Sequence, residues 1–257
     1  MALGTTAVLA TAQPGSAAAR PHYVALGDSV AAGIGAGSLS RWQDDCWIDE
    51  NRRVPNATKA YPRRVARALG AKLDFKAFCG ANTGQVIAEQ LGTLNDGTDL
   101  VTVQVGANNY GFTGVIKKCI AFSGGSLCND AVAKVQRDFL NKLPRDLDKL
   151  YNRIRAKAGG ARVLVVGYPK LLRQTRPLCN ADGRMLLDTR RRINTAAHTL
   201  NDVTRIAAIA MDSSSSKPSR HSRATRYVTG PSGSMDSVFP RWSLSIPTPA
   251  VTRPTDG

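Results

Sequence analysis

Three short stretches of this chain carry residue types that together could run acyl transfer. Gly27-Asp28-Ser29 offers a hydroxyl nucleophile at Ser29, Gly80-Ala81-Asn82 a backbone amide at Gly80, and Gly106-Ala107-Asn108-Asn109 a side-chain amide at Asn108. Transfer of an acyl group to water needs a nucleophile, donors aimed at the oxygen that becomes negative, and a base. A glycine leaves its N–H open to approach because no Cβ covers it. An asparagine donates from its NH₂ group without adding charge. With the amide of Ser29 itself, Gly80 and Asn108 would surround one developing oxyanion. Singly, each stretch has a plainer use. Gly-Asp-Ser is a common turn tripeptide, Gly80 can simply end a strand, and Asn108-Asn109 can simply cap one. Their joint position is what carries the signal.

That position follows from the elements around them. Tyr23-Val24-Ala25-Leu26 is a β-type run that stops at Gly27. Residues 72–78 alternate like a strand ahead of Cys79-Gly80, and the β-rich run 100–105 ends at Gly106. A further strand is expected over 162–167, closed by Tyr168-Pro169. Between these lie helical patterns. One covers 60–69 and stops at Gly70, a second covers 83–91 with Thr83 as its cap, and a third covers 182–208. A long stretch carries Val132, Val135, Phe139, Leu143, Leu147, Leu150 and Ile154 at spacings of three and four. Pro144 lies inside it and predicts a kink or two consecutive helices. Strands alternating with helices predict parallel βαβ units with right-handed crossovers, in an α/β fold. All three glycine turns then fall on the sheet's carboxyl edge, where open α/β sheets place their chemistry.

Composition sets the bounds. At 257 residues, with 42% apolar and 6% aromatic content, the chain suits one domain plus tails. It contains no uninterrupted apolar run long enough to span a bilayer. The net charge of +16 would attract anionic partners, but the arginines are dispersed and lack aromatic interleaving, so no nucleic acid is expected. None of the five cysteines (Cys46, Cys79, Cys119, Cys128, Cys179) forms a C-x-x-C pair, which disfavours zinc, and no cofactor or metal is expected. Cys119 and Cys128 bracket a short Ser/Gly-rich loop that a disulfide closes easily. Residues 1–21 read as a leader or remnant signal segment, with Ala17-Ala18-Ala19 as a cleavage site. Export to an oxidising compartment is expected on both grounds. Gly33-x-Gly35-x-Gly37 lies too far past its strand for a dinucleotide loop, and no G-x-S-x-G elbow is present.

With these residues in hand, the chain resembles the SGNH (GDSL-type) hydrolases, especially the secreted actinobacterial lipase/esterase branch. The family's first three blocks resemble the sequences ending at Ser29, Asn82 and Asn109, in order and at suitable spacings, and the likeness covers roughly residues 22–205. It implies a three-layer α/β/α sandwich with flavodoxin-like strand order, acting on small-molecule or lipid carboxylic esters. It implies Ser29 as nucleophile, Gly80 and Asn108 completing the oxyanion hole, and disulfides Cys46–Cys79 and Cys119–Cys128. A secreted monomer without a transmembrane segment is the matching expectation.

Two departures stand out. The family usually has Asp where this chain has Asn109, and it ends with an Asp-x-x-His pattern that supplies base and orienting acid. No catalytic His or Asp of that kind is identified here. His22 opens the first strand at the end away from Ser29, and His198 lies within a helix. His221 has Pro218 three residues before it, which cannot orient a ring. After Arg205 the periodic pattern stops, the tail is rich in Ser, Pro and Arg, and Cys179 has no family partner. The expectation is an incomplete hydrolase domain over 22–210 that lacks its last strand. An irregular or frameshifted tail then covers 211–257. In either case the base is missing. A second reading follows: a non-catalytic cell-surface or polymer-binding protein that keeps the hydrolase cleft.

Overall fold

The computed structural model describes residues 19–34, 59–121, 125–172, 186–213 and 226–228. At its centre is strand β1 (His22–Gly27), which is buried along its whole length after His22. Two registers place it. It pairs in parallel with β2 (Lys72–Phe75), Tyr23 opposite Leu73, and with β3 (Leu100–Gln104), Gly27 opposite Gln104. Strand β4 (Arg162–Val166) follows on β3 and a short β5 (Arg226–Val228) on β4, and the order β2-β1-β3-β4-β5 is the flavodoxin-like one expected.

Period-two alternation assigns the faces. Val24 and Leu26 of β1, Val101 and Val103 of β3, and Val163 and Val165 of β4 enter one core. That face is covered by α5 (Ser126–Asn141), α6 (Leu143–Lys157) and α7 (Leu187–Ser213) through Val135, Phe139, Leu147, Ile154, Ile193 and Leu200. Tyr23 and Ala25 point the other way and meet Ala66 of α2 (Tyr61–Leu69). A strand covered on both faces has no solvent side, which is why β1 reads as a continuous apolar run from Tyr23 to Leu26.

Pro144 acts as expected. It has no N–H to give to Leu140, so the helical stretch breaks at Lys142 and restarts at Leu143 with the proline in its first turn. A short helix α4 (Phe112–Ala121), which its sequence pattern did not signal, is linked to α5 by a disulfide between Cys119 and Cys128.

The structure corrects three expectations. Asn82, not Thr83, caps the segment after the second turn, and its side chain and that of Gln85 satisfy each other's backbone N–H groups. That segment is no single helix: α3 (Thr83–Gln85) passes into a π turn over Val86–Gln90 and a 3₁₀ turn over Leu91–Thr93. Finally, the pattern does not end at Arg205. Ala208 and Met211 continue the buried stripe of α7, and a short parallel strand β5 (Arg226–Val228) joins β4 where no strand was expected. Three residues are too few to show a period.

Candidate active site

Gly27 ends β1 with φ at +144°, and an added Cβ would sit 2.3 Å from the Gln104 carbonyl oxygen and 2.8 Å from the Ala31 Cβ. Only glycine fits against β3 there. Its peptide groups are gripped by one buried side chain. Gln90 accepts from the Gly27 N–H and donates to the Gly27 carbonyl, both at 2.8 Å. The next amide, Asp28 N–H, donates to the Gln104 carbonyl at 3.0 Å and so carries the β1–β3 ladder into the turn.

Ser29 opens the one-turn helix α1 (Ser29–Ala32), which Asp28 caps by accepting the Val30 N–H at 3.0 Å. The other carboxylate oxygen of Asp28 accepts the Tyr168 hydroxyl. Burial pushes the Asp28 carboxyl from its ordinary value of 3.8 up to about 7, against the Tyr168 hydrogen bond, which favours the ionised form. Burial likewise raises the Tyr168 hydroxyl well above its usual range, so it stays a donor.

At the second turn Gly80 has φ at +81°, with nothing within 4 Å of where a Cβ would lie. Backbone conformation, rather than crowding, calls for glycine here. Asn108 of the third turn reaches across to it. Its Nδ2 donates to the Ala81 carbonyl at 3.1 Å and its Oδ1 accepts the Thr113 hydroxyl at 2.8 Å. One Nδ2 hydrogen is thereby committed and the other is left to donate. Asn109 holds the same two turns together, accepting the Thr83 N–H at 3.1 Å and donating to the Thr83 Oγ1 at 2.7 Å. The same amide also donates to Asp146 at 3.2 Å, and Asp146 accepts the Tyr110 hydroxyl at 2.6 Å. This gives the departure at position 109 a physical reason. An aspartate there would set a second carboxylate against Asp146, whereas the amide gives it a proton donor.

The structure thus brings the turns of Ser29, Gly80 and Asn108 to one edge of the sheet. Among the described residues it does not bring a histidine to them. His22 sits at the amino end of β1, bonded to Asp74 at 2.8 Å. His198 lies on the outer face of α7, 3.0 Å from Asp202, with 77% of its side chain exposed. His221 lies outside the described residues, as does Cys46, although Cys79 is disulfide-bonded. Among the described residues the Ser29 hydroxyl has no hydrogen-bond partner.

Several positioning residues escaped the sequence reading. Gln90 lies four residues after Val86, on the face that should be apolar, and that misfit was its one signal. Asn201 accepts the Tyr168 N–H at 2.8 Å and donates to the Tyr168 carbonyl at 2.9 Å. Asn194 does the same for Leu172, at 3.0 and 2.8 Å. Two asparagines seven residues apart beside the apolar stripe of α7 mark this clamp on the loop leaving β4.

A five-stranded parallel sheet of this order, with these three turns on its carboxyl edge, defines the SGNH hydrolase fold. The profile of the GDSL-like lipase/acylhydrolase family matches residues 25–224, and the chain belongs to that family. It is 39% identical over 149 residues to a lipase of Streptomyces rimosus, across 58% of this chain and 52% of the relative. Among solved structures it resembles phospholipase A1 of Streptomyces albidoflavus, with 33% identity, a TM-score of 0.66, and 81% of this chain and 79% of the other covered. The extracellular lipase of Streptomyces rimosus matches at 32% identity and a TM-score of 0.66, over 81% and 80% of the two chains. The chain spans about half the length of the curated relative it matches. No helix among the described residues is long and apolar enough to cross a membrane.

Proposed function

We propose that this chain hydrolyses carboxylic esters, lipid esters included, through an acyl-enzyme on Ser29. The Ser29 oxygen attacks the ester carbonyl, its proton passes to solvent water, which returns one to the leaving alkoxide, and the carbonyl oxygen becomes an oxyanion. The N–H groups of Ser29 and Gly80 and the uncommitted Nδ2 hydrogen of Asn108 receive that charge. Collapse releases the alcohol, and water then cleaves the acyl-serine. The observation that carries this reading is the bond from Asn108 to the Ala81 carbonyl, which ties the amide donor to the glycine turn. Work outside the cell fits the extracellular relative and the Cys119–Cys128 disulfide.

Among the described residues no histidine serves Ser29, and this favours one rival, a binding protein that keeps the cleft. Turnover of a chromogenic short-chain ester by the purified chain, beside Ser29→Ala, separates the two. With no base placed beside Ser29 among the described residues, the wild type is expected to exceed the variant, but by far less than the roughly 10⁶-fold that a serine with its base in place shows. Equal rates would remove Ser29 as nucleophile and leave the binding reading.

A further inference from the structure

Ser29 and Asn108 stand on turns that leave different strands, so something beyond the ladder must fix one against the other. The last backbone bond between the two strands is Asp28 N–H to the Gln104 carbonyl. Past it, one side chain from a third strand end reaches both arms. The Tyr168 hydroxyl donates to Asp28, next to Ser29, and accepts the N–H of Ala107, next to Asn108, at 3.2 Å. Tyr168 is itself 6% exposed, and both its peptide groups are held by Asn201 from α7. We propose that Tyr168 is a positioning residue of the site, a hydroxyl strut that sets the Ser29 turn against the Asn108 turn and is kept in register by Asn201. This deepens the esterase reading and rests on it for the roles of Ser29 and Asn108.

The strut is well suited to the task. A phenol is one rigid arm that can accept from an amide and donate to a carboxylate at once. Removing only the hydroxyl leaves the ring packed, so Tyr168→Phe separates positioning from folding. The other titratable group acting on Asp28 is Tyr61, from α2, and Tyr151 of α6 faces Tyr168. A misplacement on the ångström scale at a site of this kind costs about a hundredfold in rate.

Tyr168→Phe, Asp28→Asn and the double variant are compared in the full chain. Three readouts are taken: ester kinetics, amide and Asn side-chain NMR shifts, and carbon-detected titration of Asp28. In Tyr168→Phe the expected result is a kcat lowered about ten- to a hundredfold with KM little changed. The Ala107, Ser29 and Asn108 signals should move, and the Asp28 midpoint should rise, since the lost hydrogen bond favours its ionised form. If Tyr168 acts through Asp28, the double variant is no slower than the slower single variant. Unmoved Ser29 and Asn108 signals, or fully additive losses, would overturn the proposal. A chain that turns over no ester at all defeats the esterase reading instead, and the NMR shifts still decide whether Tyr168 couples the two turns.

Discussion

Gly27→Ala is expected to lower the melting temperature by about 8–16 °C, the largest stability effect of any single alanine in the glycine turns. Two costs combine. An alanine at φ of +144° sits where L side chains rarely go, a strain of about 1–3 kcal/mol. Its Cβ would also lie 2.3 Å from the Gln104 oxygen, so β1 and β3 would have to part at the point where the site begins. Overpacking of that kind costs about 1–3 kcal/mol more. A total near 4 kcal/mol is a large share of the roughly 5–15 kcal/mol by which domains are stable. Gly70→Ala is the control, because Gly70 has φ at +59° with nothing within 4 Å of its missing Cβ. It should cost about 1–2 kcal/mol. Thermal unfolding followed by circular dichroism reads both, and equal losses would show that crowding at Gly27 counts for nothing.

That contrast also marks what sequence can and cannot convey. The turn glycines at 27, 80 and 106 and the break at Pro144 were readable because local rules govern them, although β2 stops at Phe75, short of the expected 78. A run of Val and Leu stops, a glycine takes a positive φ, and a proline cannot donate. The helix from Leu143 to Lys157 was readable for the same kind of reason, since Leu143, Leu147, Leu150 and Ile154 keep one face. Gln90, Tyr168 and Asn201 were not readable as positioning groups. Their partners lie 63, 140 and 33 positions away in the chain, and no local pattern encodes such pairings. The short strand Arg226–Val228 was missed for a different reason. It owes its existence to the open edge of β4, with which it pairs from Leu164 to Val166.

The same distinction applies to the two departures from the family pattern. Asn109 stops being an anomaly once Asp146, which lies 37 positions away, is seen to occupy the carboxylate's place beside it. The absent Asp-x-x-His has no such compensation among the described residues. Among the described residues, both histidines are engaged elsewhere, His22 with Asp74 and His198 with Asp202. On the proposed esterase reading, the donors for the oxyanion are therefore better placed among the described residues than any base for Ser29. Measured turnover should reflect this imbalance.

Stability should fall as pH rises from about 4 to about 7, and Asp28 should be the cause. An unfolded aspartate loses its proton near pH 3.9. In the folded chain burial holds the Asp28 proton up to about pH 7. Across that window the folded state keeps a proton that the unfolded state has released, so each step upward in pH favours unfolding. The full difference is of order 4 kcal/mol, level above pH 7 and absent below about pH 4. Asp138 acts with the opposite sign, because hydrogen bonds from Lys134 and Lys142 hold its carboxyl below 3.8. Its stabilisation is present above the unfolded value and is lost only as pH drops through the folded one, beneath the Asp28 window. Urea unfolding at half-unit steps from pH 4 to pH 8 should therefore give a declining wild-type curve and a nearly flat one for Asp28→Asn. Parallel curves for the two proteins would mean that Asp28 is ionised in the fold at pH 5. The carboxylate would then be stabilised by the Tyr168 hydroxyl and the Val30 amide strongly enough to outweigh its burial.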